Sequence, residues 1–154
     1  MTILDQIIVE KSREVELSKQ KVSVKELEMS GYFARNCQSL CLSLVEPASS
    51  GIIAEYKRKS PSKGVINDQL TPAEVTQAYV KAGAAGLSVL TDEPFFGGTR
   101  KDFEDARVAN PFTPMLRKDF MVDEYQVIEA KSMGADVILL IAASLSPAEI
   151  KSLG

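Results

Sequence analysis

The sequence predicts an α/β fold: a parallel sheet of about four strands, preceded by a helical segment. Three observations predict it. Short apolar runs recur at Ile52–Lys57, Leu87–Thr91, Met115–Asp119 and Val137–Ile141. Each run is followed by a helix-start signal built on Thr71, Thr99, Asp123 or Ser146. The last run is apolar on both faces, as a parallel strand covered on each side is. Repeated strand–helix units of this kind define the class.

Residues 2–20 read as a helix. Thr2 with Asp5 can cap it, and Ile3, Ile7, Ile8 and Val15 form one apolar stripe. The charges from Glu10 to Lys21 are predicted as its solvated face. Ser23-Val24-Lys25-Glu26 is a capping box that opens a shorter helix toward Met29. Residues 30–50 are less regular, although Phe33, Leu40, Leu42, Leu44 and Val45 need something to pack against. Pro47–Gly51 reads as a turn. Residues 1–50 are therefore read as an N-terminal helical extension, and 51–154 as the strand–helix region.

The first strand, Ile52–Lys57, is broken by the loop Ser60–Gly64. Thr71-Pro72-Ala73-Glu74 starts a helix with proline at its first position, and Gly83 is placed to end it. Leu87–Thr91 forms the second strand, and Thr99 with Asp102 opens a helix to about Ala109. Met115–Asp119 is the third strand; Asp123 with Gln126 caps a helix that stops at Gly134. The fourth strand, Val137–Ile141, precedes a Pro-containing capping box at Ser146–Glu149. A closed (β/α)8 barrel has eight such units and about 250 residues. The chain is either an open sheet of about four strands or the front part of a barrel.

Composition narrows function. With 154 residues the chain can bury a single core, and 45% hydrophobic with 25% charged residues is ordinary for a globular domain. A net charge of −3 argues against bulk attraction to nucleic acid or an anionic membrane. No apolar run approaches the ~20 residues of a membrane span. The N-terminus lacks the basic-then-apolar order of a secretory signal. Cys37 and Cys41, four apart, fit neither a redox pair nor a zinc framework, and a reduced cytoplasmic compartment is expected. The chain has no histidine, so acid–base chemistry falls to Glu, Asp, Lys, Tyr or Cys.

The segment Gly51–Gly64, GIIAEYKRKSPSKG, carries the strongest chemical signal. Side chains alternate along a strand, so Ile53, Glu55 and Lys57 share one face. A carboxylate and an ammonium one pleat apart are costly to bury without a purpose. The third strand ends in the same way, at Arg117-Lys118-Asp119. Two strands that finish in lysines beside carboxylates suggest a site for an anionic substrate. The plainer alternative is structural pairing, of Lys57 with Glu55 and of Lys118 with Asp119 or Glu55.

These motifs, with Thr91–Gly98 (TDEPFFGG), Leu116–Phe120 (LRKDF), Asp123–Gln126 and Gly134–Asp136 before Leu139-Leu140-Ile141, resemble the indole-3-glycerol-phosphate synthase family over nearly the whole chain. The resemblance implies a TIM barrel with an N-terminal helical extension, present here as a partial barrel. It implies a cytoplasmic carbon–carbon lyase of tryptophan biosynthesis. That reaction closes the indole ring of a carboxyphenylamino-deoxyribulose phosphate, with release of carbon dioxide and water. No metal or organic cofactor is implied.

By the same resemblance, Lys118 matches the general acid on the substrate ketone. Lys57 matches the contact to the substrate's anionic groups, with a share in proton transfer. Glu55 matches a carboxylate that holds the lysines or serves as base. Ser60 and Pro61 match the loop near the substrate phosphate or carboxylate. Phe96 and Phe120 match the aromatic walls of the anthranilate pocket, and Leu139 or Leu140 a further wall, Leu139 being the one taken for the site. Arg58 and Lys59 are read as surface charges, and Lys63 as a solvated loop residue. The family's second half supplies a further glutamate, an asparagine and the main phosphate loops. The 154-residue chain alone is therefore expected to be inactive and to self-associate through its open sheet edges. The alternative reading is a non-catalytic half-barrel that binds phosphate or anthranilate-like anions.

Overall fold

The computed structural model describes residues 1–154. Helix α1 (Ile3–Lys21) opens on the Thr2–Asp5 capping box, and α2 (Val24–Glu28) on the Ser23–Glu26 box, as the sequence predicts. Helix α3 (Leu40–Val45) lies in the stretch read as irregular, and Ser39 caps it by accepting from Leu42 N. It is only six residues long, too short for periodicity to mark it. Its Leu40 is buried.

Strand β1 (Ile53–Tyr56) leads into a small hairpin, β2 (Lys59–Ser60) and β3 (Gly64–Val65), where the sequence reading has a plain loop. Helix α4 (Pro72–Lys81), strand β4 (Gly86–Leu90), a one-turn helix α5 (Glu93–Phe96) and helix α6 (Arg100–Ala109) follow. Strand β5 (Met115–Lys118), helix α7 (Glu124–Ser132), strand β6 (Val137–Ile138) and helix α8 (Pro147–Leu153) complete the order. The turns after α4 and α7 place Gly83 at φ 100° and Gly134 at φ 91°, where a Cβ is disfavoured.

The main sheet runs β1-β4-β5-β6, with every pair parallel. The βα rhythm thus produces neighbouring strands in order. Strand β6 is shorter than the apolar run Val137–Ile141 suggests. Its ladder forms only against β5, through Leu116–Val137 and Arg117–Ile138, and no strand lies on its other side.

The core fills the space between the sheet and α4, α6 and α7. Tyr56, Leu87, Val89 and Met115 from the strands meet Phe103, Ala106 and Ala130 from the helices and Met133 just past α7. The opposite face of the sheet carries Ile53, Glu55, Ser88, Leu90, Leu116, Lys118 and Val137 by register. At the amino ends of the strands, the buried Asp136 carboxylate binds Arg107 and Arg35, both at 2.6 Å. It also accepts from Met115 N and Gln38 N, so it fastens the segment after α2 to the floor of the sheet.

Candidate active site

Strand alternation sends Glu55, Ser88 and Lys118 to the open face, near the carboxyl ends of the strands. There the Lys118 ammonium donates to Glu55 Oε2 at 3.0 Å, and Lys57 Nζ lies 3.6 Å from Glu55 Oε1. Both amines flank one carboxylate on one side of the sheet, within reach of one small molecule. The Ser88 hydroxyl donates to Glu55 Oε2 at 2.9 Å. Burial pushes the Glu55 carboxyl up. The bonds from Lys118 and Ser88, with the charges of Lys118 and Lys57, outweigh it and hold the group below its ordinary range. The three charged side chains are each about one-third exposed, so they can turn toward a ligand.

The β2–β3 hairpin projects from this end of the sheet. Ser60 Oγ accepts from Lys63 N, and Pro61 and Lys63 are exposed. The two residues read as surface charges are engaged instead. Arg58 makes a two-pronged bond to Asp102, at 2.8 Å on each arm, and lies over the Tyr56 ring. Lys59 donates to Pro94 O, which fastens the hairpin to α5. Phe96, at the end of α5, meets Phe120, just after β5, with ring centroids 6.0 Å apart. Leu139 is half-buried just beyond β6, past the last residue paired in the sheet.

A second charged cluster lies at the same end, among the helices. Lys11 of α1 is only 4% exposed, although the sequence reading puts it on a solvated face. Its ammonium lies 2.6 Å from Glu14, 2.8 Å from Asp92 and 3.0 Å from Asp119. The Asp92 contact is an ion pair alone, since that oxygen has no aligned hydrogen-bond donor. Burial opposes the charge on Lys11. The Asp119 charge and the paired Asp92 and Glu14 carboxylates more than offset it, so its pKa rises above the usual lysine value.

Asp119 also accepts from Thr91 Oγ1, Arg117 and Phe120 N. Arg117 continues the cluster to Glu129 and to Gln126 O. A cavity of about 340 Å³ between α1, α6 and α7 is lined by these charges, on the helix side of the sheet rather than over Glu55. No group of three or more His, Cys, Asp or Glu side chains is arranged to hold a metal ion. Lys11 carried no sequence signal beyond its charge. Ser88 did carry one: it is a polar residue at an inward position of an apolar strand.

Parallel βα units in sequential order, with partly exposed charges gathered at the carboxyl ends of the strands, define a TIM-barrel type of enzyme scaffold, here with four strands. The family model for indole-3-glycerol phosphate synthase matches residues 4–154. The chain is also 46% identical over 153 residues to the indole-3-glycerol phosphate synthase of Bacteroides thetaiotaomicron. That alignment covers 98% of this chain and 57% of the relative, so the chain spans little more than half the relative's length. The chain belongs to the indole-3-glycerol phosphate synthase family. No helix is long and apolar enough to cross a membrane.

Proposed function

We propose that this chain supplies the β1–β6 portion of an indole-3-glycerol phosphate synthase, with residues 1–50 as its extension and 51–154 as the first half of its barrel. The observation that carries the reading is the convergence of Lys57 and Lys118 on Glu55. The substrate is a carboxyphenylamino-deoxyribulose phosphate, and the setting is cytoplasmic tryptophan biosynthesis. Lys118 acts as general acid. It donates to the ketone oxygen as the aromatic carbon bearing the carboxylate attacks the ketone carbon, forming the new carbon–carbon bond. Lys57 faces the carboxylate that then leaves as carbon dioxide, its electron pair restoring the aromatic ring. Loss of the new hydroxyl as water, with removal of a ring proton, completes the indole. Glu55 keeps the two ammonium groups apart and takes part in the dehydration. Phe96, Phe120 and Leu139 clasp the aromatic ring, and Ser60 and Pro61 shape the loop beside the substrate's anionic groups.

The relative is much longer than this chain, and the sheet has open edges. The 154-residue chain by itself is accordingly expected to turn over little or no substrate. The test joins this chain to the remaining βα units of the Bacteroides relative and follows indoleglycerol phosphate formation. The completed barrel should be active, and Lys118→Met should lower turnover by about two orders of magnitude or more. An inactive barrel that nevertheless folds, or a Lys118→Met effect confined to substrate affinity, would overturn the assignment. In the second case Lys118 becomes a binding group.

A further inference from the structure

Ser88 is the one polar side chain on β4. It is 5% exposed, and Gly86, Leu87, Val89 and Leu90 surround it in the strand. A hydroxyl buried in such a strand is unfavourable unless it is bonded. Its partner is Glu55 Oε2, the same oxygen that Lys118 holds. The pairing is built into the sheet, because the register sets Glu55 of β1 directly opposite Ser88 of β4.

The charged groups that face Glu55 are Lys118 from β5 and Lys57 beyond β1; from β4, Ser88 alone faces it. In the reaction proposed above, both lysines turn to the substrate, and Glu55 loses the cations that fix it. Ser88 has one side-chain torsion and sits on a central strand, so it cannot follow them. We infer that Ser88 is a positioning residue: it holds the Glu55 carboxylate in place while Lys118 is engaged with substrate. The inference deepens the proposed reaction and rests on it for its purpose. The contact itself can be tested without turnover.

The test uses this chain with ¹³C-labelled glutamate and reads the side-chain carboxyl titration of Glu55. Wild type, Ser88→Ala, Ser88→Cys and Ser88→Thr are compared, each with and without Lys118→Met, which mimics the departed lysine. Ser88→Ala and Ser88→Cys should raise the Glu55 pKa by about half a unit or more, and Ser88→Thr should restore it. The rise should persist, undiminished, in the Lys118→Met background. Thr and Cys keep a side chain of similar size, so a packing defect would affect both alike, whereas loss of the donor separates them. A Glu55 titration unmoved by Ser88→Ala, or moved only while Lys118 is present, overturns the inference. A completed barrel that makes no indoleglycerol phosphate would sink the proposed reaction and leave these titrations as they are.

Discussion

Lys11→Met tests whether α1 is pinned to the sheet by charge or merely rests on it. The substitution keeps the apolar stem and removes the ammonium. Two buried carboxylates, Asp92 and Asp119, then lose a cation 2.8 and 3.0 Å away. Breaking a buried pair from one side costs about 3–5 kcal/mol. Asp119 keeps Arg117 and Thr91, so the loss falls mainly on Asp92, whose Oδ1 has no other partner. The lower end, about 3 kcal/mol, is therefore expected. At ~2–4 °C per kcal/mol for a chain of this size, Tm should fall by roughly 6–12 °C. Urea and thermal unfolding by circular dichroism supply the numbers. Arg13→Ala, which breaks the exposed pair with Glu10, is the control and should have no measurable effect. Adding Asp92→Asn to Lys11→Met should recover part of the loss, because an amide is cheaper to leave without a cation. A Lys11→Met loss no larger than that of the control, or no recovery in the double variant, would refute the reasoning.

Asp136→Ala should be as damaging, by about 3–5 kcal/mol in urea unfolding, because Arg107 is 1% exposed and loses its only carboxylate; a loss under about 1 kcal/mol would argue against it. Stability should hold from neutral pH to about 4 and fall below that. Burial pushes the Asp119 carboxyl up, but Arg117, Lys11, Thr91 and the Phe120 N–H bring it below its ordinary value, and Glu55 is lowered too. Such groups stabilise the fold above their unfolded pKa and lose that contribution as pH falls through the folded value, so a urea midpoint already declining between pH 7 and 5 would contradict this. Gly98→Ala should shift the Phe96 segment, since a Cβ there would lie 2.2 Å from Leu90 O, a backbone atom that cannot swing aside; an unchanged Phe96–Phe120 contact in a structure of the variant would refute it. The isolated chain should self-associate through its open sheet face, where Ile53 is 42% exposed, and Ile53→Lys should weaken that. A single monomer boundary in sedimentation velocity at every concentration would rule it out.

Much of this architecture is legible in the sequence because its signals are local. A capping box needs only residues three apart, and Thr2, Ser23, Thr71, Asp123 and Ser146 all form theirs. The face shared by Glu55 and Lys57 follows from strand alternation alone, and the register then adds Lys118. What escaped depends on partners far along the chain. Lys11 looks like any other charge on an amphipathic helix until Asp92 and Asp119 arrive from two different βα turns. Arg107 and Asp136 likewise belong to separate elements. Hairpin β2–β3 and helix α5 are too short for periodicity to reveal, and their shape is set by contacts such as Lys59 with Pro94.

The two clusters at the carboxyl end of the sheet divide the electrostatic work. On the open face, the Glu55, Lys57 and Lys118 side chains are 30–37% exposed. Their mutual attraction is screened by water, so parting one pair costs little. On the helix side, the side chains of Lys11, Asp92, Asp119 and Arg117 are at most 7% exposed, and their pairings are too strongly coupled to exchange. Yet the locked cluster holds the backbone that presents the movable one. Asp119 follows Lys118 and accepts from Phe120 N, and Asp92 caps the helix that carries Phe96. An amine can pivot away from its carboxylate in a defined direction only if its own strand end stays fixed. The buried charges supply that fixity from the opposite, helix-covered face of the sheet.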